Sequence, residues 1–79
     1  MALSEELRQA KLRMLVETEG YPNLQALLEA TITDSVCPAI CTKENCSYTC
    51  EMEPDQDRGW CDECGTNTVQ SALVLAGLV

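Results

Sequence analysis

Six cysteines and no histidine constrain this 79-residue chain more than any other feature. Chains below about 80 residues bury too little apolar surface to be stable through a core alone, and they usually add disulfides, a metal ion or a partner chain. The cysteines occupy positions 37, 41, 46, 50, 61 and 64. Because histidine is absent, a cysteine-based metal site would consist of thiolates, and a catalytic dyad or triad that needs histidine is excluded within one chain.

The expected compartment favours metal binding over disulfides. The first residues include Glu5, Glu6 and Arg8, where a secretory signal would need an apolar run. We therefore expect a cytoplasmic location, where paired cysteines bind metal more often than each other, and a disulfide framework is the alternative. The longest apolar stretch, residues 72–79, is much shorter than the roughly 20 residues of a membrane helix. We therefore expect no membrane contact.

The pair Cys61-x2-Cys64, followed by Gly65, is the strongest metal-site signal in the chain. In such a turn both thiolates reach one ion, and glycine allows a positive φ without steric cost. A tetrahedral site needs two more thiolates from a second turn, and Cys41-x4-Cys46 encloses a suitable polar turn. We therefore predict one metal ion bound by Cys41, Cys46, Cys61 and Cys64.

The two remaining cysteines are interpreted as core residues. Cys50 shares one face of an alternating segment with Tyr48 and Met52, as a small apolar residue would. Cys37 precedes a proline, which favours an extended backbone at the entry to the cysteine segment. Spacing alone does not fix ligand choice, so two other first pairs stay open: Cys37 with Cys41, and Cys46 with Cys50.

Zn²⁺ is the expected ion, one per chain, and iron also fits an all-sulfur tetrahedral site. A site closed by four protein ligands has no open coordination position, so we expect it to be structural and the chain not to be an enzyme. A redox role for the Cys61-x2-Cys64 dithiol is a lesser alternative. The two acids between these cysteines, Asp62 and Glu63, would raise the thiol pKa values rather than lower them.

The pattern along the chain predicts a small, metal-stabilised α+β domain in three parts. Residues 1–35 are expected to form a helical hairpin, with helices over 3–19 and 22–33, because Ser4 is a good N-cap and Gly20 a good stop. Residues 36–65 are expected to form a zinc-ribbon-like β-hairpin that pairs segments 47–53 and 60–61. Residues 66–79 are expected to form an apolar helix packed on the rest, with a buried strand as the alternative.

Several motifs between residues 34 and 79 carry a resemblance: PAIC (38–41), CSYT (46–49), EPDQ (53–56), GWC (59–61), CG (64–65), NTV (67–69) and SALVLAGL (71–78). The segment resembles a group of small, uncharacterised bacterial and phage proteins, and more broadly a zinc ribbon. The resemblance implies the same four ligands, since Cys37 and Cys50 are typically replaced in that group. It departs from the usual ribbon in the x4 turn and in Ser47, where glycine is common.

Charge and leftover apolar surface indicate a protein-interaction module. The formal net charge of −8 is a poor match to phosphate backbones, so nucleic-acid binding by a zinc ribbon is the less favoured alternative. The first helix carries two apolar faces and the C-terminal segment is apolar all round, more than a small core normally covers. We expect a protein partner or self-association through these two segments, with a homodimer possible.

Overall fold

The computed structural model describes residues 4–78 and confirms the predicted α+β class, with N-terminal helices, an antiparallel sheet and a short C-terminal helix. Residues 1–3 and 79 lie outside the described residues, and with them the first residue of the predicted helix 3–19 and the last residue of the predicted helix 66–79. The elements in chain order are α1 (Glu5–Glu19), α2 (Leu24–Thr31), β1 (Cys37–Cys41), β2 (Thr49–Met52), β3 (Gly59–Cys61), β4 (Thr66–Ser71) and α3 (Ala72–Leu75).

Local capping signals set the bounds of the first two helices. The Ser4 hydroxyl accepts a hydrogen bond from the Leu7 N–H at 3.1 Å, and Gly20 ends α1 with φ of 79°. Both signals were predicted from the sequence. The second helix is shorter than predicted because the Asn23 side chain caps it, accepting from the Ala26 N–H at 2.8 Å. Pro22 therefore precedes the helix instead of opening it.

The predicted pairing of segments 47–53 and 60–61 is wrong. The strand order is β2-β1-β4-β3, and every pairing is antiparallel, so β2 and β3 lie at opposite edges of the sheet. The central place belongs to β1, whose five residues are all buried. An alternating pattern indicates a strand but does not name its partner, which depends on contacts distant in sequence.

The predicted helix over residues 66–79 is also wrong for its first half. Residues 66–71 form β4, which pairs with β1 and β3, and only Ala72–Leu75 form a helix. Val69 and two threonines suit a pleated surface. The helix begins at Ser71, whose hydroxyl accepts from the Val74 N–H at 3.2 Å. The buried strand that the sequence left as an alternative is thus correct up to Ser71.

The strand β1 separates two core clusters. Ile40 faces a helical core with the leucines of α1, α2 and α3, while Ala39 and Cys41 face a second cluster with Val69. This alternation follows from the twofold period of a strand. Among residues 4–78, the helices are all too short or too polar to cross a membrane.

The sheet curls, which brings its two edge strands close together. The Met52 side chain at the end of β2 lies directly against Gly59 at the start of β3, although these strands share no ladder. As a result the sheet partly encloses the second cluster, where most of the cysteines lie.

Candidate metal centre

The four predicted ligands lie in two turns and at the ends of the strands that lead into them: Cys41 ends β1, Cys61 ends β3, and Cys46 and Cys64 lie in the turns that follow. The first cysteine turn, residues 42–48, joins β1 to β2, and its end is closed by the Cys41 N–H donating to the Tyr48 carbonyl at 2.9 Å. The second cysteine turn, residues 62–65, joins β3 to β4. Here the Gly65 N–H donates to the Cys61 carbonyl at 2.8 Å, and Gly65 has φ of 68°, as the sequence predicted.

Pairing between β1 and β4 brings both turns to one end of the sheet. The backbone N–H of Thr42 donates to the Thr68 carbonyl at 2.8 Å, and the Thr42 hydroxyl donates to the same oxygen at 2.7 Å. The Cys64 N–H points at the Cys61 sulfur at 3.3 Å. A backbone donor of this last kind stabilises negative charge on sulfur and orients a ligand before an ion arrives.

The four sulfur atoms form a tight cluster. All of them lie within 4.8 Å of one another, with 3.8 Å between the Sγ atoms of Cys41 and Cys64, and 3.6 Å between those of Cys46 and Cys61. Four sulfurs placed tetrahedrally around an ion at about 2.3 Å would be about 3.8 Å apart. The spacing is also far beyond the roughly 2.05 Å of a disulfide bond. This arrangement can hold a metal ion.

The other two cysteines lie outside this cluster. Cys37 is buried in the helical core, and Cys50 packs against the second cluster beside Tyr48 and Met52. All six cysteines are free thiols. The structure thus places Cys37 and Cys50 in the packing roles that the sequence assigned to them, and it brings together the four cysteines chosen by spacing.

The thiols of the cluster differ sharply in acidity. Burial opposes ionisation of Cys41, but the Thr68 hydroxyl, the Lys43 backbone and neighbouring thiols outweigh it and lower the pKa of Cys41 to about 7. Contact with the Cys46 thiol, followed by burial and the thiols of Cys41 and Cys61, raises the pKa of Cys64 to about 12. Crowded sulfurs resist joint ionisation because like charges repel, and a cation at their centre removes that resistance.

The thiol of Cys50 is less acidic than that of an ordinary cysteine. Burial raises its pKa, and the negative charges of Asp62 and Cys61 raise the pKa further. The Tyr48 hydroxyl donates to the Asp62 carboxylate at 3.2 Å and covers this side of the sheet. Its position outside the four-sulfur cluster, not its acidity, is what separates Cys50 from the candidate ligands.

Sequence reasoning missed one residue that reaches this site. Lys11 on α1 is 1% exposed, and its Nζ donates to the carbonyls of Lys43 and Cys46 in the first cysteine turn. Its position one helical turn before the buried Leu15 was the available signal, because residues four apart share a helix face. Lysine is seldom buried, so the residue type alone gives no reason to expect Lys11 in the core.

Trp60 is next to the clustered Cys61 in sequence, but it does not pack beneath the second cysteine turn. The side chain is 54% exposed, while its neighbours Gly59 and Cys61 are buried. Successive residues of a strand point to opposite faces, so burying Cys61 inside the cluster turns Trp60 outward.

Comparison with known proteins adds no family to these observations. No protein-family model, curated protein or solved structure matches this chain. Metal binding is therefore inferred from the donor atoms themselves. Four thiols favour soft and borderline metal ions over magnesium or calcium, which prefer oxygen ligands.

Proposed function

We propose that this chain binds one structural Zn²⁺ ion through Cys41, Cys46, Cys61 and Cys64. The observation that carries the proposal is the placement of all four sulfurs within 4.8 Å of one another. Zinc is preferred over iron because it is the common ion of closed four-cysteine sites and needs no redox partner. With four protein ligands the ion has no open position, which supports a binding rather than a catalytic protein.

In this proposal the ion joins the two hairpins of the sheet. Two ligands lie at or after the end of β1 and the other two at or after the end of β3, so one ion connects turns that are separate in sequence. Zinc contributes an apparent ~10–16 kcal/mol in zinc-finger peptides. A chain of this size has little stability to spare, so the ion would decide whether the fold forms.

We further propose that the folded chain is a protein-interaction module. Large apolar side chains are exposed at Ile32, Val36, Trp60 and Leu78, and an open groove of about 400 Å³ runs between α1 and the start of α2. The net charge of −8 favours a basic partner surface. Ala72, Leu73 and Leu75 of α3, by contrast, are buried in the chain's own core.

Self-association is one form of this proposal. The two apolar faces of α1 prompted it, and the structure packs Leu12 and Leu15 in the core with Met14 and Val16 partly buried against it. A second copy would therefore use the exposed side chains named above, Leu78 among them, more than α1 itself. The exposed apolar side chains suit a second copy, whereas the net charge of −8, which two copies would share, favours a different, basic protein.

Nucleic acid is the less favoured partner. The exposed Trp60 could stack on a base, and this is the observation that favours nucleic-acid binding by a zinc ribbon. The aromatic ring that would accompany it, Tyr48, is held by Asp62, whose carboxylate would repel phosphate.

Native mass spectrometry of protein purified under reducing conditions tests the zinc proposal. We expect one zinc ion per wild-type chain, and the same for Cys50→Ala, which removes a thiol of the packing type. Cys61→Ser is expected to lose the ion and most of its far-UV circular dichroism, because three ligands leave the two turns unjoined.

The same spectra report metal identity and oligomeric state. A Cys61→Ser variant that keeps one zinc ion and a native circular dichroism spectrum would contradict the ligand set. Loss of zinc from Cys50→Ala would show that the first pair of ligands is Cys46 and Cys50. A dimer mass would support self-association, and a monomer would leave a different protein as the partner.

A further inference from the structure

Lys11 is a buried cation whose described partners are both uncharged. Its side chain is 1% exposed, and its Nζ donates to the Lys43 carbonyl at 2.5 Å and to the Cys46 carbonyl. Moving an ammonium group out of water is unfavourable unless opposite charge lies nearby. Two neutral carbonyls satisfy its hydrogen bonds but do not balance its charge.

The four-sulfur cluster supplies the missing negative charge once it holds an ion. Four thiolates exceed the charge of one divalent cation, so a zinc–thiolate centre remains anionic. One of the two carbonyls that Lys11 contacts belongs to Cys46, itself one of the four clustered cysteines. The buried cation and the buried anionic centre therefore meet in the first cysteine turn.

The contact also has a mechanical consequence. The acceptors lie 32 and 35 residues away from Lys11 in sequence, so the bonds join α1 to the first cysteine turn. Both carbonyls are held from outside the turn, which limits how far the Cys46 backbone can move. Groups that orient a metal ligand in this way are typically worth 10–100-fold in metal affinity.

We propose that Lys11 is a positioning residue for the metal site, which it serves by holding the carbonyls of the first cysteine turn and by offsetting the excess negative charge of the metal–thiolate centre. This inference rests on the proposed zinc site. It makes α1 part of the metal centre instead of a separate helical unit.

Three variants test the affinity expected from this role. Lys11→Met keeps the length of the side chain without its charge, Lys11→Arg keeps the charge, and Arg13→Met removes an exposed cation from the same helix, α1. Competition against a zinc chelator under reducing conditions should show about 10–100-fold weaker binding for Lys11→Met. The Arg13→Met control should stay within about twofold of the wild type, because exposed charges contribute little.

A second measurement separates charge from packing. With every protein saturated in zinc, the bound thiolates are alkylated with iodoacetamide at several free zinc concentrations. The dependence on free zinc gives the rate at which protein that has lost its ion is alkylated, and this rate is subtracted. A less neutralised thiolate is the better nucleophile, so Lys11→Met should react severalfold faster than the wild type. Lys11→Arg should react at the wild-type rate even if its larger head group lowers affinity.

The outcomes distinguish this inference from the zinc proposal. A wild-type chain that binds no zinc would overturn both. Zinc binding and alkylation that are unchanged in Lys11→Met would overturn only the role of Lys11, as would weaker binding with an unchanged alkylation rate.

Should Lys11→Met fail to fold, amine labelling of zinc-loaded wild-type protein decides the question. The chain has only two lysines, Lys11 and Lys43, so the exposed one is an internal reference. We expect Lys11 to be acylated much more slowly than Lys43. Equal rates would overturn the proposal, because a lysine held in the first cysteine turn is not accessible to the reagent.

Discussion

Single residues set the chemistry of the cluster through unequal acidities. Although burial opposes it, hydrogen bonding that includes the Thr68 hydroxyl lowers the pKa of Cys41 to about 7, while contact with Cys46 and burial raise the pKa of Cys64 to about 12. A backbone contact from Tyr48 lowers the pKa of Cys46, yet burial and neighbouring thiols raise it overall above 9.0. At pH 8, before an ion binds, Cys41 is therefore largely ionised, whereas Cys46 and Cys64 are protonated.

Metal binding should accordingly release at least two protons per ion at pH 8, from Cys46 and Cys64, because thiolates are the ligands. Calorimetric titration with zinc in buffers of different ionisation enthalpy measures this number. Affinity should fall as pH decreases, since protons compete for the same sulfurs. The Cys50→Ala variant should release the same number, whereas binding without proton release would contradict thiolate coordination.

At the scale of elements, the curl of the sheet depends on a close approach between its edges. Gly59 begins β3, and a Cβ atom there would meet the Met52 side chain and lie 3.2 Å from the Val69 Cβ. The ladder between β3 and β4 also shifts register between Gly59 and Cys61. The absence of a side chain at this position lets β3 close over the cluster and brings Cys61 inward.

Gly59→Ala should therefore destabilise the protein by about 1–3 kcal/mol, the usual cost of overpacking. Denaturant unfolding of the zinc-loaded protein measures it. Met52→Ala in the same chain should recover part of the loss by making room. The double variant should therefore lose less free energy of unfolding than the two single variants lose in total. Strict additivity would show that Met52 and Gly59 do not share this space.

For the molecule as a whole, the four-cysteine cluster and the helical core are joined into one structure. The strand β1 contributes to both core clusters, and Lys11 connects α1 to the first cysteine turn. Stability of typical domains is about 5–15 kcal/mol, which is comparable with the apparent zinc contribution of ~10–16 kcal/mol. Loss of the ion should therefore affect the helices as well as the sheet.

A chelator added in reducing buffer should unfold most of the chain, including α1 and α2. Far-UV circular dichroism should lose helical and sheet signals together, and added zinc should restore both. The single tryptophan, Trp60, provides an independent fluorescence probe of the same transition. A helical signal that survives complete zinc removal would show that the N-terminal helices are stable without the metal site.

Local signals in the sequence were sufficient for the features that depend on neighbouring residues. The caps at Ser4 and Gly20, the turn at Gly65 and the spacing of the four clustered cysteines all act within a few positions of the chain. The packing interpretation of Cys50 also followed from local alternation with its neighbours. Such features are readable because backbone preferences and ligand reach are short-range properties.

Long-range contacts decided the rest. Strand pairing, the strand conformation of residues 66–71, the burial of Lys11 and the exposure of Trp60 depend on segments far apart in sequence. Residues 66–71 contain a cap typical of a helix start and residues of both helix and strand propensity. They form a strand because they pair with the edge of β1 that β2 does not occupy. Chemistry within the two turns was therefore encoded locally, whereas their meeting at one centre required the sheet, because only pairing between distant strands brings them together.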